Sequence, residues 1–341
     1  MSLRIRPADL VSDRSLIVDC LRRYLTAEAD APRFDWLYRD NPHGAARAWI
    51  AMDEARGVTV GVASAFPRRA VVDGKNATGW VLGDFCVHDE YRTLGPALQL
   101  QRTCLEAVDH GSAAFCYDFP SRSMMAVYRR LRVSPVGHVV RFARVLRWSA
   151  RLRQSIRVPI AGHVLGSIAS VADFRPPRRR SSTGALAVRP QTEPCGPEFD
   201  DLNAERRGSA RIQLDRSAAH LNWRYRSRPG GRYAMLAARD AHGLRGFAVT
   251  DREAQILDLS ARDEEAAEAL LDESLAELWG AGAVTASCSL SASHSLAPLL
   301  VRRRFRAREA SPVILHPGPE LRHLAPLGER DLPLSPGDRE S

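Results

Sequence analysis

Lysine is almost missing from this chain: Lys75 is the only one among 49 basic residues in 341. The net charge of +9 and the pI near 9.7 therefore come from arginine. With abundant alanine, that skew fits GC-rich coding and not a dedicated surface for a polyanion. No basic stripe interleaved with aromatics is present either, so specific nucleic-acid binding is not expected. No run of about 18 apolar residues occurs, which excludes an expected membrane-spanning helix. The opening Met1-Ser2-Leu3-Arg4-Ile5-Arg6-Pro7 lacks an apolar h-region, so no secretory signal is expected. Cysteine is sparse, at 20, 86, 104, 116, 195 and 288, without a CxxC or a Cys/His pair at metal spacing. That pattern points to a reduced, cytoplasmic protein with no metal. What is present is ordinary globular composition, 45% hydrophobic and 26% charged, which excludes wholesale disorder. The length suggests about two domains.

The chain resembles itself. Trp36-Leu37-Tyr38-Arg39-Asp40-Asn41-Pro42-His43-Gly44 matches Trp223-Arg224-Tyr225-Arg226-Ser227-Arg228-Pro229-Gly230-Gly231 at five of nine positions. Glycine hairpin signals follow each block, Gly57 and Gly61 in one, Gly243 and Gly246 in the other. Leu82 to Glu90 then parallels Ile256 to Glu264, the offset having fallen from 187 to 174. The difference corresponds to a longer hairpin between Pro67 and Gly79 in the first half. Two diverged copies of one unit are expected. The boundaries drawn are 1–148, a basic connector at 149–183, a second unit at 184–316 and a flexible tail at 317–341.

Within the first unit the patterning predicts strands at 2–6, 47–53, 58–66, 79–88, 113–118 and 134–147. Helices are predicted at 13–28, 33–39, 95–110 and 121–131. A meander followed by strand–helix alternation implies an α/β (α+β) fold, a mixed, mostly antiparallel sheet flanked by helices, in each unit.

The segment richest in chemistry runs from Val87 through Arg92-Thr93-Leu94-Gly95-Pro96-Ala97 into an amphipathic helix. A strand stops, the chain turns, and a helix opens on Gly-Pro-Ala. Helix N-termini leave N–H groups unpaired and carry partial positive charge, so they can hold a pyrophosphate. Glycine lets the main chain approach an anion closely. Arg92-x-x-Gly95-x-Ala97 resembles the pyrophosphate signature of the GNAT-type N-acyltransferases, and Tyr128-Arg129-Arg130-Leu131-Arg132-Val133 is similar to that family's Tyr-x-x-Leu-Gly-Phe segment. The resemblance implies acyl-coenzyme A, acetyl-CoA or another acyl donor, in a cleft between a fourth and a fifth strand. It puts the pantetheine arm on main chain near Cys86 and Val87, and the pyrophosphate on the amides of 92–97. Two departures stand out: Arg132 replaces the family's glycine, and Ser121 stands where an asparagine often contacts the cofactor.

The second half serves as an internal control. Opposite the phosphate signature it has Glu265-Ala266-Ala267-Glu268-Ala269-Leu270, and opposite Tyr128 it has Leu300. It is therefore expected not to turn over. The resemblance assigns Tyr128 as proton donor to the departing thiolate. Asp84, alone in an apolar strand, is a candidate general base, although Asp258 matches it in the other half. Asp118 is an alternative base or an anchor for the substrate amine. The expected reaction is N-acylation of a small-molecule primary amine by direct attack. A Fem-type aminoacyltransferase using aminoacyl-tRNA and a non-catalytic coenzyme A-binding module are the competing readings.

Overall fold

The structure, a computed structural model, describes residues 3–155, 186–206, 208, 210–324 and 326–339. Most of the expected connector, 149–183, lies outside these residues.

The N-terminal half opens as an antiparallel meander of β1 (Leu3–Pro7), β2 (Arg47–Asp53), β3 (Val58–Val72) and β4 (Lys75–Val87). Between β1 and β2 lie α1 (Arg14–Tyr24) and α2 (Ala31–Phe34), the latter running into a π-helical turn at Asp35–Arg39. Then come α3 (Leu94–Asp109), β5 (Phe115–Asp118) parallel to β4, α4 (Arg122–Arg130), β6 (Gly137–Val145) and α5 (Trp148–Ser155). These elements follow the expected order closely. The long hairpin is β3 and β4 themselves, paired out to Val72 and Lys75. Its outer end pairs with β8 (Ile212–Leu214) of the C-terminal half.

The C-terminal half begins with β7 (Ala187–Pro190), α6 (Pro197–Glu205) and α7 (Ala218–Tyr225). It continues with β9 (Tyr233–Asp240), β10 (Gly243–Asp251), β11 (Ile256–Ala261), α8 (Glu264–Gly280), β12 (Thr285–Ser291), α9 (Ala297–Arg302) and β13 (Arg306–Pro317). Strand order in the larger sheet is β1-β2-β3-β4-β5-β13-β6-β12, with β11-β10-β9-β7 forming the smaller one. The last strand of each half is thus lodged against the other half: β13 pairs β5, and β6 pairs β12. An unpaired β5 edge would expose main-chain donors and acceptors, and the exchange removes it.

Each half holds one arginine in a strained backbone conformation after a short helix. Arg132 and Arg304, each just after a short helix, both adopt the left-handed region, φ 60° and 63°. This is the position where the family motif has glycine, so the replacement keeps the backbone and changes only the side chain. Gly61 and Gly246 sit where a Cβ would meet a carbonyl oxygen of the next strand, Cys86 at 2.5 Å and Ser260 at 2.6 Å.

α3 buries Leu100, Cys104, Leu105 and Val108, the i, i+4, i+5, i+8 face of its sequence, against Trp49, Trp80 and Leu82. α1 covers the opposite face through Ile17, Val18 and Leu21. No helix of the described residues is long and apolar enough to cross a membrane.

The tail is not frayed, contrary to expectation. Leu332 and Leu334 are buried, and Asp338 is 1% exposed, ion-paired with Arg216 at 2.6 Å and Arg68 at 3.2 Å. Tail and β12 exchange main-chain and side-chain bonds, Ser291 N–H to the Leu334 carbonyl and Leu334 N–H to Ser291 Oγ. Proline and charge resemble an exposed segment, but here Asp338 has buried partners far away in sequence.

Candidate functional site

Strands β4 and β5 pair only at Gly79–Val81 against Phe115–Tyr117. Beyond Val81 they part, while β4 stays bonded to β3 as far as Val87. The other edge of residues 82–87 therefore opens into a cleft of about 1820 Å³. A bulge in the β3–β4 ladder sits here, with Asp84 at φ 43°. An unpaired strand edge facing a cavity offers N–H and C=O groups to an extended ligand.

At one end of that edge α3 begins. Thr93 precedes the helix in extended conformation and its hydroxyl caps nothing. Gly95 is exposed, its φ is not left-handed, and a Cβ there would find only Thr93 Oγ1 at 4.0 Å. Neither backbone nor packing requires glycine at this point. The open space above its amide is what a glycine leaves for an approaching ligand. Arg92 is exposed and held by Asp89 at 2.9 Å. Arg92, Thr93, Leu94 and Ala97 line the cleft together with Cys86, Val87 and Ser121. Gly95 stands outside this wall, and Pro96 is buried beneath it and contributes no N–H. Cys86 turns its thiol toward α1, 3.5 Å from the Cys20 thiol, so what it can offer a ligand is main chain. Ser121 caps α4, accepting the Met124 N–H at 3.2 Å.

Two expected catalytic roles are corrected by the geometry. Asp84 is not a free base: Arg33 grips both its oxygens, at 2.7 and 2.9 Å, and Tyr38 donates to it at 2.9 Å. In the C-terminal half Tyr225 likewise donates to Asp258 at 3.1 Å. Tyr128 is fully buried and does not line the cleft. Its hydroxyl donates to Asp118 Oδ2 at 2.6 Å and accepts from Gln101 Nε2 at 2.9 Å. Burial and the Asp118 charge push the tyrosine well above its usual range, so its proton stays with this bond.

Asp118 also lines the cleft and, unlike Asp84, is gripped by no arginine among the described residues. Burial raises its pKa to about 6, against the opposing hydrogen bonds from Tyr128 and the Phe119 backbone. A group with that value is ready to take a proton near neutral pH. Gln101 and Arg33 were not legible as site residues. Gln101 left one signal, a polar side chain on the buried face of α3; Arg33 left none. The C-terminal half also supplies cleft wall, through Arg224, Arg228, Arg232, Tyr233 and, from the tail, Arg339, none of which the sequence singled out.

No protein-family model and no curated protein sequence matches this chain. Solved structures do. A probable N-acyltransferase from Enterococcus faecalis superposes with a TM-score of 0.65 at 11% identity, over 92% of this chain and 72% of that one. A GCN5-related N-acetyltransferase from Anabaena variabilis gives 0.62 at 13%, over 92% and 72%. Saccharomyces cerevisiae N-myristoyltransferase, solved with bound myristoyl-CoA, gives 0.59 at 11%, over 92% and 82%. The chain has the fold of these proteins, a mixed sheet dominated by antiparallel pairs and flanked by helices.

Proposed function

We propose that the chain is an N-acyltransferase that uses an acyl-coenzyme A, with acetyl-CoA the expected donor, to acylate a primary amine. The observation that carries this reading is the unpaired edge of β4 running into a helix start whose glycine nothing in the fold requires. The residues fit the donor: the β4 edge near Phe85–Val87 for the pantetheine arm, and the amides of Leu94, Gly95 and Ala97 with Arg92 for the pyrophosphate. Once bound, the donor supplies an activated thioester. Asp118 takes the proton that the attacking amine loses as the N–C bond forms and the C–S bond breaks, and coenzyme A leaves as its thiolate, which water can protonate. Tyr128 and Gln101 hold Asp118 in place. The β4 main chain near Val87 donates to the developing oxyanion, typically a few kcal/mol of stabilisation.

The two halves are, on this reading, diverged copies spanning 1–148 and 184–316. The second keeps the fold and not the chemistry. Its β11 and β12 also part, joined among the described residues by one bridge at Gln255 and Ser287. The tail packs into that gap, with Gly337 so close that a Cβ would lie 2.4 Å from the Tyr225 hydroxyl and 2.7 Å from Asp258. A slot filled by the chain itself leaves no room for a second donor.

Titration calorimetry with coenzyme A and acetyl-CoA tests the reading, together with thiol release in an amine mixture. Binding heat and amine-dependent release are expected. Absence of heat overturns the reading, heat without release leaves a binding module, and stabilisation by total tRNA in place of acetyl-CoA points to an aminoacyl-tRNA donor.

A further inference from the structure

The far wall of the cleft belongs to the C-terminal half, and its charge is uneven. Arg228, Arg232 and Arg339 line it. Among the described residues none of these three forms an ion pair with a carboxylate, whereas on the near wall Arg33 pairs with Asp84 and Arg92 with Asp89. The acids on the far wall form no ion pair with these three among the described residues. Asp251 accepts the main-chain N–H groups of Glu253 and Gln255, each at 2.9 Å, and Glu253 accepts from the Gln255 side chain at 3.3 Å.

Two of the three are nevertheless held in place. The Arg228 guanidinium lies 5.5 Å from the Trp36 ring centre and 6.0 Å from that of Tyr233, and donates to the Tyr233 hydroxyl at 2.6 Å. Arg339 stacks on Phe119, 4.6 Å from its ring centre, and its charge acts on the neighbouring Asp118. An aromatic face fixes a guanidinium while leaving its N–H edge open to an anion. Arg228 and the buried Arg224 also lie near enough for their charges to oppose each other. An arriving anion relieves that repulsion.

We propose that the acceptor amine carries an anionic group, a carboxylate or a phosphate, received by Arg228, Arg232 and Arg339 while Asp118 faces the amine. The proposal deepens the acyltransferase reading and rests on it. It divides the labour of the cleft: the α3 end takes the donor's phosphates, and the C-terminal wall selects the acceptor.

The test uses the full chain with acetyl-CoA and matched acceptor pairs: glycylglycine against its amide, and glucosamine 6-phosphate against glucosamine. Charged hydrogen bonds of this kind predict that the anionic member is preferred by about 10- to 100-fold in kcat/KM. The pair that shows the preference identifies carboxylate or phosphate. Arg228→Gln and Arg339→Gln remove the preference through KM, with circular dichroism and coenzyme A affinity unchanged. Equal rates within both pairs overturn the proposal, as does a loss of coenzyme A affinity that matches the loss of rate, which assigns the arginines to the donor. If no amine is acylated, calorimetry with glucosamine 6-phosphate and glycylglycine still decides: no arginine-dependent heat overturns the proposal, while missing heat with coenzyme A overturns the reading beneath it.

Discussion

Trp36 and Trp223 bond to each other twice. Each indole N–H donates to the other's main-chain carbonyl at 2.9 Å, and the rings stack with centres 4.9 Å apart. The separation in sequence is 187 residues, the same offset that aligns the two repeated blocks. The pair is self-complementary in the way that a contact across a two-fold axis is. Replacing either tryptophan by alanine is expected to cost about 3–5 kcal/mol, in the usual range for large aromatics. The double variant is expected to cost clearly less than the sum, because both changes remove one shared contact. Urea denaturation of the four proteins measures this, and strict additivity would show that the rings act separately.

The proposed role of Asp118 carries a pH dependence. To take the amine's proton it must be ionised, so kcat/KM is expected to rise with pH through about 6. The Tyr128 hydroxyl bonds to the ionised form and thereby lowers that value. Tyr128→Phe is therefore expected to shift the acidic limb upward, losing activity near neutrality and recovering much of it at higher pH. A direct proton donor behaves differently: its loss lowers the rate at every pH by about 10²–10⁴-fold. Asp118→Asn removes the limb altogether. A pH–rate profile of the three proteins separates these outcomes.

The strand and helix order of the N-terminal half was legible because each element carries its own period, such as Leu100, Cys104 and Leu105 on one face of α3. The opening beside Gly95 was legible too, since a strand, a turn and Gly-Pro-Ala are adjacent in sequence. Pairings across hundreds of residues were not. Nothing local in β6 or β13 says that each completes the other half's sheet. Likewise Asp338 reads as tail until Arg68 and Arg216 are brought to it. Asp84 stands within a strand and Asp118 at a strand end, and Asp258 opposite Asp84 already hinted at a role in the fold. The positions of Arg33 and Tyr38 then show which carboxylate is occupied.

The interface between the halves is expected to weaken in mild acid. His43 and His220 stack with ring centres 5.0 Å apart, and each has an Nδ1 without a hydrogen-bond partner among the described residues. Burial lowers the pKa of both, with Arg68 adding to the effect, and the Asp215 bond to His43 does not reverse it. Burial and Arg206 lower His294 to about 4. Histidines depressed in the fold take up protons more readily when unfolded, so stability falls as pH drops from about 6.5. The loss from His294 is complete near 4, its value in the fold. Thermal melts between pH 7.5 and 4.5 should show the decline, and His220→Phe should flatten part of it. A constant melting temperature across that range would contradict the buried, neutral pair.

Two glycines of the N-terminal half make opposite predictions. At Gly61 a Cβ would come within 2.5 Å of the Cys86 carbonyl and 3.3 Å of Val87 Cα, both main chain of the strand that borders the cleft. Gly61→Ala must push β3 and β4 apart, and it is expected to lower the melting temperature and weaken ligand binding together. At Gly95 a Cβ meets nothing nearer than 4.0 Å. Gly95→Ala is therefore expected to leave stability unchanged or slightly raised, since alanine is favoured over glycine within a helix by about 1 kcal/mol. Gly95→Glu should keep the fold but place a carboxylate where the donor's phosphates approach, abolishing coenzyme A binding in calorimetry. Melting temperature and binding heat on the three variants give a decisive pattern. If Gly95→Glu binds coenzyme A like the parent, the helix start at Leu94 holds no pyrophosphate, and the donor must be sought elsewhere in the cleft.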